Sequence, residues 1–269
     1  MTTSSDQWSE SASGRQYWNR QGRRFRRSFF GAPTTQLYLA EEQRLFRRHV
    51  GDLKGKCVLK LDLWNEAQNT EILFWAAGQG ARCYGVDIAE STVRKARARS
   101  ADLCVPVSIA VADVRSLPFP DGVFDCLYTM GTLEHLPDPR RAFEELARVV
   151  KPGGVAIVGV PNVRDPFLFA LASRLLQAVG RYPYGYERWY TNAELGAILR
   201  AQGFLVVRRD GILLLPWFVR MLDMHLWMHW PAACSATDVL LHPFRLLARS
   251  QRLVERFGYL TVCVAEKQP

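Results

Sequence analysis

The arrangement of apolar segments along the chain restricts its fold most strongly. From residue 55 onward, short apolar segments rich in β-branched residues alternate with amphipathic segments of helical length. Strands are predicted over residues 56–63, 81–88, 105–113, 124–130, 153–161, 204–215 and 257–267. Helices are predicted over residues 69–80, 89–101, 138–150 and 191–204. This order indicates an α/β fold, a doubly wound and mostly parallel sheet of seven strands with helices on both faces.

The 269 residues are enough for one large domain preceded by an arm. We predict a basic, partly disordered N-terminal arm over residues 1–34 and a single domain over 35–269. The core of this domain is expected at 55–211 and 257–267. The segments 163–190 and 212–256 are apolar and aromatic, and they are interpreted as insertions that form a lid.

The arm combines positive charge with aromatic residues, and no acidic residue lies between Glu10 and Glu41. Its arginines are Arg15, Arg20, Arg23, Arg24, Arg26 and Arg27, and its aromatic residues are Tyr17, Trp18, Phe25, Phe29 and Phe30. The favoured interpretation is that the aromatic residues pack on the domain while the arginines stay in solvent. Peripheral contact with an anionic membrane and binding of nucleic acid are the two alternatives, of which nucleic acid is the weaker.

Several features predict a cytoplasmic protein without a metal site. The polar start, MTTSSDQWSESASG, does not resemble a signal peptide, and charged residues such as Arg220 and Asp223 interrupt the longest apolar stretch. Six cysteines occur without a Cys-x-x-Cys pair, so they are interpreted as small buried residues in a reducing compartment.

Acidic residues follow two of the predicted strands, at the edge of the sheet where α/β proteins bind ligands. Asp87 ends the second strand, and its carboxylate is suited to accept hydrogen bonds from the two hydroxyls of a ribose. Asp113 follows the third strand, where it and Val114 are suited to meet the edge and the face of a purine. The alternative for Asp87 is a helix cap, and for Asp113 an Asx turn.

One long segment resembles a known family. ADVRSLPFPDGVFDCLYTMGTLEHLPDPRRAFEELARVVKPGGVAIVGVPN is similar to the central part of class I S-adenosylmethionine-dependent methyltransferases, in the small-molecule branch called methyltransferase type 11. GVDIAESTVRKAR resembles the second-strand motif of that family, and YTNAELGAILRAQGF its late helix. The resemblance covers about residues 55–210, and 257–267 fit the last strand of the family. It implies a Rossmann-like sheet with an antiparallel last strand, and S-adenosyl-L-methionine as the cofactor.

The same resemblance assigns roles to individual residues. Asp87, with Ile88 beside it, would hold the ribose of the cofactor. Asp113 and Val114 would hold the adenine. Thr129 and Met130 would lie beside its methionine part.

The chain departs from the family after the first strand, where a Gly-x-Gly-x-Gly motif is usual. Residues 56–77 contain no glycine. In one interpretation Asp62, Asn65 and Glu66 replace the backbone contacts, with Asp62 or Glu66 binding the ammonium group of the cofactor. In the other, Trp64 fills the cofactor pocket and the fold no longer binds it. The first interpretation is favoured because Asp87 and Asp113 are both present.

The acceptor of the methyl group must be recognised outside the sheet, by the arm and the two insertions. Their aromatic residues predict a pocket for a small-molecule or lipid-like acceptor: Phe167, Phe169, Tyr182, Tyr184, Tyr186, Trp189, Tyr190, Trp217, Phe218, Trp227 and Trp230. His135 follows the fourth strand as a candidate catalytic base, with a purely structural role as the alternative. The aromatic segments are equally consistent with simple coverage of the sheet.

The sequence therefore predicts a methyltransferase that modifies oxygen or nitrogen. A binding protein that has kept the fold without catalysis is one alternative. A nucleic-acid methyltransferase that uses the arginine-rich arm is another. The second alternative is weakened because TMGTLEH follows the fourth strand where base methyltransferases have an Asn-Pro-Pro-Tyr or Asp-Pro-Pro-Tyr motif. The oligomeric state is left open.

Overall fold

A computed structural model describes residues 11–24, 27–182 and 184–269. Seven strands form one sheet in the order β3-β2-β1-β4-β5-β7-β6. Their bounds are β1 Cys57–Leu61, β2 Arg82–Asp87, β3 Val107–Val111, β4 Phe124–Met130, β5 Val150–Pro161, β6 Phe204–Ile212 and β7 Leu260–Lys267. The neighbours from β3 to β5 are parallel, whereas β7 is antiparallel to both β5 and β6. The predicted fold class, with its antiparallel last strand, is confirmed.

Eleven helices surround the sheet in the part of the chain that the structure describes. They are α1 Ser11–Arg24, α2 Pro33–His49, α3 Trp64–Gln68, α4 Ile72–Gly78, α5 Glu90–Asp102, α6 Arg140–Val149, α7 Phe169–Ala178, α8 Asn192–Ala201, α9 Trp217–His229, α10 Cys234–Leu247 and α11 Gln251–Phe257. Two 3₁₀ turns, Leu133–His135 and Pro231–Ala233, complete the set. The four helices predicted from the sequence are present, and α8 begins with the expected capping box of Thr191 and Glu194.

The central strands of the sheet are buried on both faces, as their continuous apolar sequences require. Along β1 every residue is buried, and successive side chains contribute to different cores. Val58 belongs to the cluster that includes Phe46 of α2 and Leu73 of α4. Leu59 belongs to the cluster that includes Phe143 of α6. Because β1, β2, β3 and β4 are parallel, they end at one edge of the sheet, where the loops after them meet.

The segment assigned to an arm contains helix α1, which lies on α5 of the domain. Asn19 accepts a hydrogen bond from Ser91 N at 2.9 Å, and its carbonyl accepts one from the Ser91 hydroxyl at 3.0 Å. Gly22 is buried against the same residue, so that a Cβ atom there would lie 2.4 Å from Ser91 Oγ. Helix α1 therefore forms a fixed cover on the domain. Residues 1–10, Phe25 and Arg26 lie outside the described residues.

The two insertions form a connected layer of helices. Phe169 at the start of α7 stacks on Trp217 at the start of α9, with ring centroids 5.3 Å apart. Phe167 lies 6.1 Å from Phe244 of α10, and α9 contacts α10 directly. We call α7, α9 and α10 the lid helices. In residues 11–24, 27–182 and 184–269, none of the helices combines the length and the apolar character that a bilayer crossing requires.

Candidate active site

The loop after β1 is built around an aspartate in a conformation that glycine usually adopts. Asp62 has a φ of 64°, in the left-handed region that aspartate tolerates better than most residues. Its Oδ1 accepts a hydrogen bond from Trp64 N at 3.1 Å, and its Oδ2 accepts one from the Thr132 hydroxyl at 3.0 Å. Helix α3 starts at Trp64. The turn is thus formed without glycine, because the Asp62 side chain binds Trp64 N in the turn and Thr132 in the loop after β4.

A buried lysine of β1, Lys60, stabilises this loop. Lys60 is fully buried, and its ammonium donates to the Asp62 carbonyl at 2.7 Å and lies 3.1 Å from Glu66 Oε2. Glu66 Oε1 in turn accepts a hydrogen bond from Leu73 N at the start of α4. Burial alone lowers the pKa of Lys60, but the charges of Asp62 and Glu66, with that of Glu42, raise it overall. The lysine therefore stays charged and connects β1, α3 and α4.

A cavity of about 300 Å³ opens at the edge where the parallel strands end, within the range for small-molecule pockets. Most of the predicted site residues line it: Asp62, Asn65, Asp87, Ile88, Asp113, Val114, Met130 and His135. Glu66 and Thr129 are not among the lining residues. Glu66 is turned towards Lys60, and Thr129 is fully buried in β4. Trp64 lies in the wall of the cavity and leaves its interior open.

Asp87 is positioned by two backbone amides at the edge of the cavity. Its Oδ2 accepts a hydrogen bond from Leu63 N at 2.9 Å, and its Oδ1 accepts one from Ala89 N at 2.7 Å. Burial raises the pKa of Asp87 to about 7, although these two hydrogen bonds act to lower it. Each carboxylate oxygen has a second lone pair, so Asp87 can accept two further hydrogen bonds from a ligand. Asp87 thus fixes the turn that leads into α5 and also lines the cavity.

Asp113 pairs with Arg115, the second residue after it. Arg115 Nε donates to Asp113 Oδ1 at 2.9 Å, and an Arg115 terminal nitrogen donates to Oδ2 at 2.6 Å. Burial acts to raise the pKa of Asp113, but the Arg115 hydrogen bonds hold it below its usual value. Val114 is buried between them and lines the cavity. An apolar surface next to a polar edge is therefore available at the end of β3.

His135 lies half-buried in the cavity wall as a neutral ring. Its Nδ1 donates to the Tyr186 carbonyl at 2.9 Å, so Nε2 carries the free lone pair. Burial lowers the pKa of His135 to about 4, although the contact with Tyr186 acts to raise it. The ring of Trp18 from α1 packs edge-on against it, with centroids 4.9 Å apart. At neutral pH this histidine carries no charge.

The sequence and the fold of this domain are similar to those of known methyltransferases. Residues 67–158 match a family model described as a methyltransferase domain. The ubiquinone biosynthesis O-methyltransferase of Xanthomonas axonopodis pv. citri (strain 306) is 35% identical over 143 residues, 51% of this chain and 59% of that protein. The probable tocopherol O-methyltransferase of Oryza sativa subsp. japonica is 41% identical over 81 residues, 29% and 22% of the two chains.

Phosphoethanolamine N-methyltransferase 2 of Haemonchus contortus, solved with phosphomonomethylethanolamine and S-adenosylhomocysteine, has the same fold. The TM-score is 0.65 at 16% identity, over 95% of this chain and 60% of that one. The family match and the shared fold support a class I S-adenosylmethionine-dependent methyltransferase domain in this chain. The family match supports S-adenosyl-L-methionine as its cofactor. The chain spans less than two thirds of the length of the curated relatives named here.

The residues of this methyltransferase domain fit such a cofactor. The cavity joins an apolar wall at Val114 with an acid at Asp87 that has lone pairs to spare, which suits an adenosine. The same cavity is also lined by Asp62, Asn65 and Arg220. The Asp62 carboxylate can pair with the ammonium group of the ligand, and the Arg220 guanidinium can pair with its carboxylate.

The cavity is also lined by polar and aromatic residues that were not predicted as site residues, among them Trp18, Glu134, Glu187 and Arg220. Glu134 adjoins His135, and its position just after β4 could have indicated it. Trp18, Glu187 and Arg220 lie on α1, on the loop after α7 and on α9, respectively. No strand end marks those positions, because the chain reaches the cavity there from outside the sheet.

Proposed function

We propose that this protein is an S-adenosylmethionine-dependent methyltransferase that modifies a hydroxyl group of a small, largely apolar acceptor. The observation that carries this proposal is the open cavity at the ends of β2 and β3, lined by Asp87 and Asp113 and left free by Trp64. An indole filling this cavity would have favoured a binding protein without catalysis. The side chains that line this cavity support the interpretation in which the loop after β1 still binds the cofactor.

In this proposal each part of the cofactor has a partner in the chain. Asp87 accepts hydrogen bonds from the ribose hydroxyls, and Val114 with Asp113 adjoins the adenine. Asp62 faces the ammonium group. Arg220 adjoins the carboxylate, because its guanidinium lines the cavity, 5.5 Å from the centre of the Tyr38 ring. Unlike Arg115, Arg220 forms no ion pair with any residue that the structure describes.

When bound, the cofactor supplies an electrophilic methyl group on a sulfonium. The contribution of the protein is to align the acceptor with this group and to exclude water. Trp18 from α1 and Tyr184 from the second half of the first insertion close the cavity from outside the sheet. Their positions suit a cover that shields the reacting atoms.

The acceptor class follows from the walls of the cavity and from the relatives. The walls of the cavity include several aromatic and aliphatic side chains: Trp18, Tyr38, Leu213, Tyr184, Tyr259 and Leu260. Such walls favour an acceptor with an apolar or aromatic body. The curated relatives described above are named O-methyltransferases, which supports oxygen as the methylated atom.

The acceptor proposal is tested by incubating the protein with methyl-labelled S-adenosylmethionine and two panels, lipid extracts and aromatic metabolites. We expect a labelled product from one of these panels and none with Asp87→Ala. Label in a small polar acid, with none in either panel, would contradict the apolar acceptor site.

We also propose that the protein contacts anionic membranes from the cytoplasm, through the lid helices. The lid helices, with the two residues that flank α7, expose many large apolar side chains: Leu168, Leu171, Leu175, Val179, Phe218, Met221, Leu222, Val239, Leu240, Leu246 and Leu247. A cleft lined by Arg164, Arg209, Arg252 and Arg256 adjoins the chain before α7 and after α10. An apolar surface next to arginines suits a negatively charged lipid surface.

Flotation with phosphatidylglycerol vesicles tests this contact. We expect binding to be lost when Leu171 and Leu175 of α7 are both changed to Glu. The matched control places Glu at Leu205 and Val207, which are exposed apolar residues of the edge strand β6. If neither pair matters and replacing the arginines of α1 abolishes flotation, the contact belongs to α1 and not to the lid helices.

A further inference from the structure

Two buried acids lie together in the wall of the cavity, on the side formed by the first insertion. Glu134 is 2% exposed and Glu187 is 7% exposed, and both line the cavity. Their segments are joined by a hydrogen bond of 2.9 Å from Arg188 N to the Glu134 carbonyl. Glu134 Oε2 and Glu187 Oε1 each have no hydrogen-bond partner among the described residues. Buried carboxyl oxygens without partners are costly, so they indicate contacts that a ligand completes.

We propose that Glu187 is the catalytic base, which takes the proton from the hydroxyl of the acceptor, and that Glu134 positions the acceptor oxygen beside it. This inference rests on the proposed function and deepens it. It moves the base from His135, the candidate that the sequence indicated, to a residue of the lid.

The surroundings of Glu187 suit a base at neutral pH. The Tyr182 hydroxyl donates to Glu187 Oε2 at 2.7 Å. Burial raises the pKa of Glu187 to about 7, against the lowering effects of Tyr182 and the nearby Trp189 indole. The other titratable groups around it are the phenols of Tyr184 and Tyr259 and the carboxyl of Glu134. Two cations, Arg220 and Arg24, act on the neighbouring phenol of Tyr184, and Arg188 follows Glu187 in the chain.

The neighbours of Glu187 are poor bases for different reasons. His135 is held neutral, and its pKa of about 4 makes its lone pair a weak proton acceptor. Burial, and secondly the charge of Glu187, raise the pKa of Glu134 well above its usual value. Glu134 is therefore protonated when Glu187 is charged, and its O–H can donate a hydrogen bond to the acceptor oxygen.

The step conserves atoms and charge. The Glu187 carboxylate takes the hydroxyl proton of the acceptor, and the oxygen lone pair forms a new C–O bond to the methyl carbon of the sulfonium donor. The C–S bond breaks, and its electron pair stays on sulfur to give the neutral thioether. Glu187 then loses the proton to solvent after the product leaves.

This base selects acceptors that carry a proton to lose. A phenol or an enol enters neutral and gives its proton to Glu187. A carboxylic acid is already ionised at neutral pH, so it brings no proton and is repelled by the Glu187 charge. The predicted acceptor class is therefore a weakly acidic hydroxyl on an apolar body, and not a carboxylate.

The proton-transfer role is tested in two measurements on the full chain. Carbon-13 NMR of glutamate labelled at the side-chain carboxyl follows the titration of Glu187, whose resonance is assigned by its loss in Glu187→Gln. Rates of S-adenosylhomocysteine formation are measured with catechol, phenol and benzoate as probe acceptors. Tyr182→Phe removes the hydrogen bond to Glu187, and Glu144→Gln on the exposed face of α6 is the matched control.

We expect a resonance that titrates near pH 7 in the wild type and at higher pH in Tyr182→Phe. With catechol or phenol, Glu187→Gln should lower kcat at least about 100-fold and remove the acidic limb of the pH profile. Its affinity for S-adenosylmethionine should stay unchanged, as should every property of Glu144→Gln.

The proposal is overturned if Glu187 titrates near the usual value of a glutamate, or if Glu187→Gln keeps its rate. It is also overturned if the wild type binds S-adenosylmethionine and methylates benzoate but neither hydroxyl probe, or none of the three. Absence of cofactor binding in the wild type is a separate result, which contradicts the proposed function itself.

Discussion

Lys60 and Glu66 form an ion pair of 3.1 Å inside the protein, with side-chain exposures of 1% and 0%. The pair contacts the loop after β1, where the family resemblance led us to expect a glycine motif. Lys60 also contacts the Asp62 carbonyl, and Glu66 also accepts from Leu73 N. The pair therefore fixes the start of α3 and of α4 by side-chain contacts. We infer that it is the structural substitute for the glycine motif.

The first prediction concerns this pair. Lys60→Met should lower the free energy of unfolding by about 3–5 kcal/mol, because it leaves the Glu66 carboxylate buried without its cation. Urea denaturation followed by circular dichroism measures the loss. The double variant Lys60→Met/Glu66→Leu should recover part of it. If the single and double variants were equally unstable, the charge of Glu66 would not be the cause.

The second prediction separates the backbone of Asp62 from its carboxylate. Asp62→Gly keeps the left-handed conformation and loses the contacts to Trp64 N and Thr132, whereas Asp62→Ala also strains the backbone. We expect both variants to bind S-adenosylmethionine at least about tenfold more weakly, if one hydrogen bond to a charged group is lost. Only Asp62→Ala should lose an additional 1–2 kcal/mol, roughly, of folding stability. Unchanged affinity in Asp62→Gly would remove Asp62 from the ammonium site.

The third prediction is a fall in stability as the pH rises. Burial raises the pKa of Glu41 and Asp87 to about 7 and that of Glu42 to about 8. The folded protein keeps these protons at pH values where the unfolded chain has lost them, so their contribution is present at low pH and is lost as the pH rises through 7 and 8. His135, whose pKa is about 4, acts in the opposite sense only below the usual histidine range.

Thermal denaturation of the ligand-free protein between about pH 6.5 and pH 8.5 measures this effect. We expect Tm to fall over this interval. Glu42→Gln should make the fall smaller, because it keeps an acceptor for the Tyr128 hydroxyl and removes one ionisation. Glu90→Gln, at an exposed position of α5, is the control. A Tm that rises with pH in the wild type would contradict the buried, protonated state of these acids.

The part of the site at the ends of the strands was predictable from the sequence. The part formed by α1 and the two insertions was not. Asp87 and Asp113 follow strands, and the topology of a parallel sheet alone brings their positions together. Lys60 gave no such signal, because a lysine within a strand usually faces solvent. Its burial is explained by its contacts with Glu66 and with the Asp62 carbonyl. Glu187 and Arg220 depend on how the lid folds back over the cavity, which local patterns do not encode.

Helix α1 is another element whose packing could not be predicted from the sequence. Its polar and basic composition predicted an arm, because segments with few apolar residues and many charges often bury too little surface to fold. Its packing depends on a few particular residues, among them Asn19 against Ser91 and Trp18 against His135. The arginines of α1 remain exposed, which agrees with the favoured interpretation of the segment.

Calorimetric titration of S-adenosylmethionine and S-adenosylhomocysteine into the wild type and Asp87→Asn tests the central claim most directly. We predict dissociation constants in the micromolar range for the wild type. Its affinity should increase as the pH rises through about 7, because the ribose hydroxyls donate to an ionised Asp87. Asp87→Asn should bind about 10- to 100-fold more weakly, from the loss of charge-assisted hydrogen bonds. No measurable binding by the wild type at millimolar ligand, or equal affinity in Asp87→Asn, would contradict a cofactor site built from these side chains.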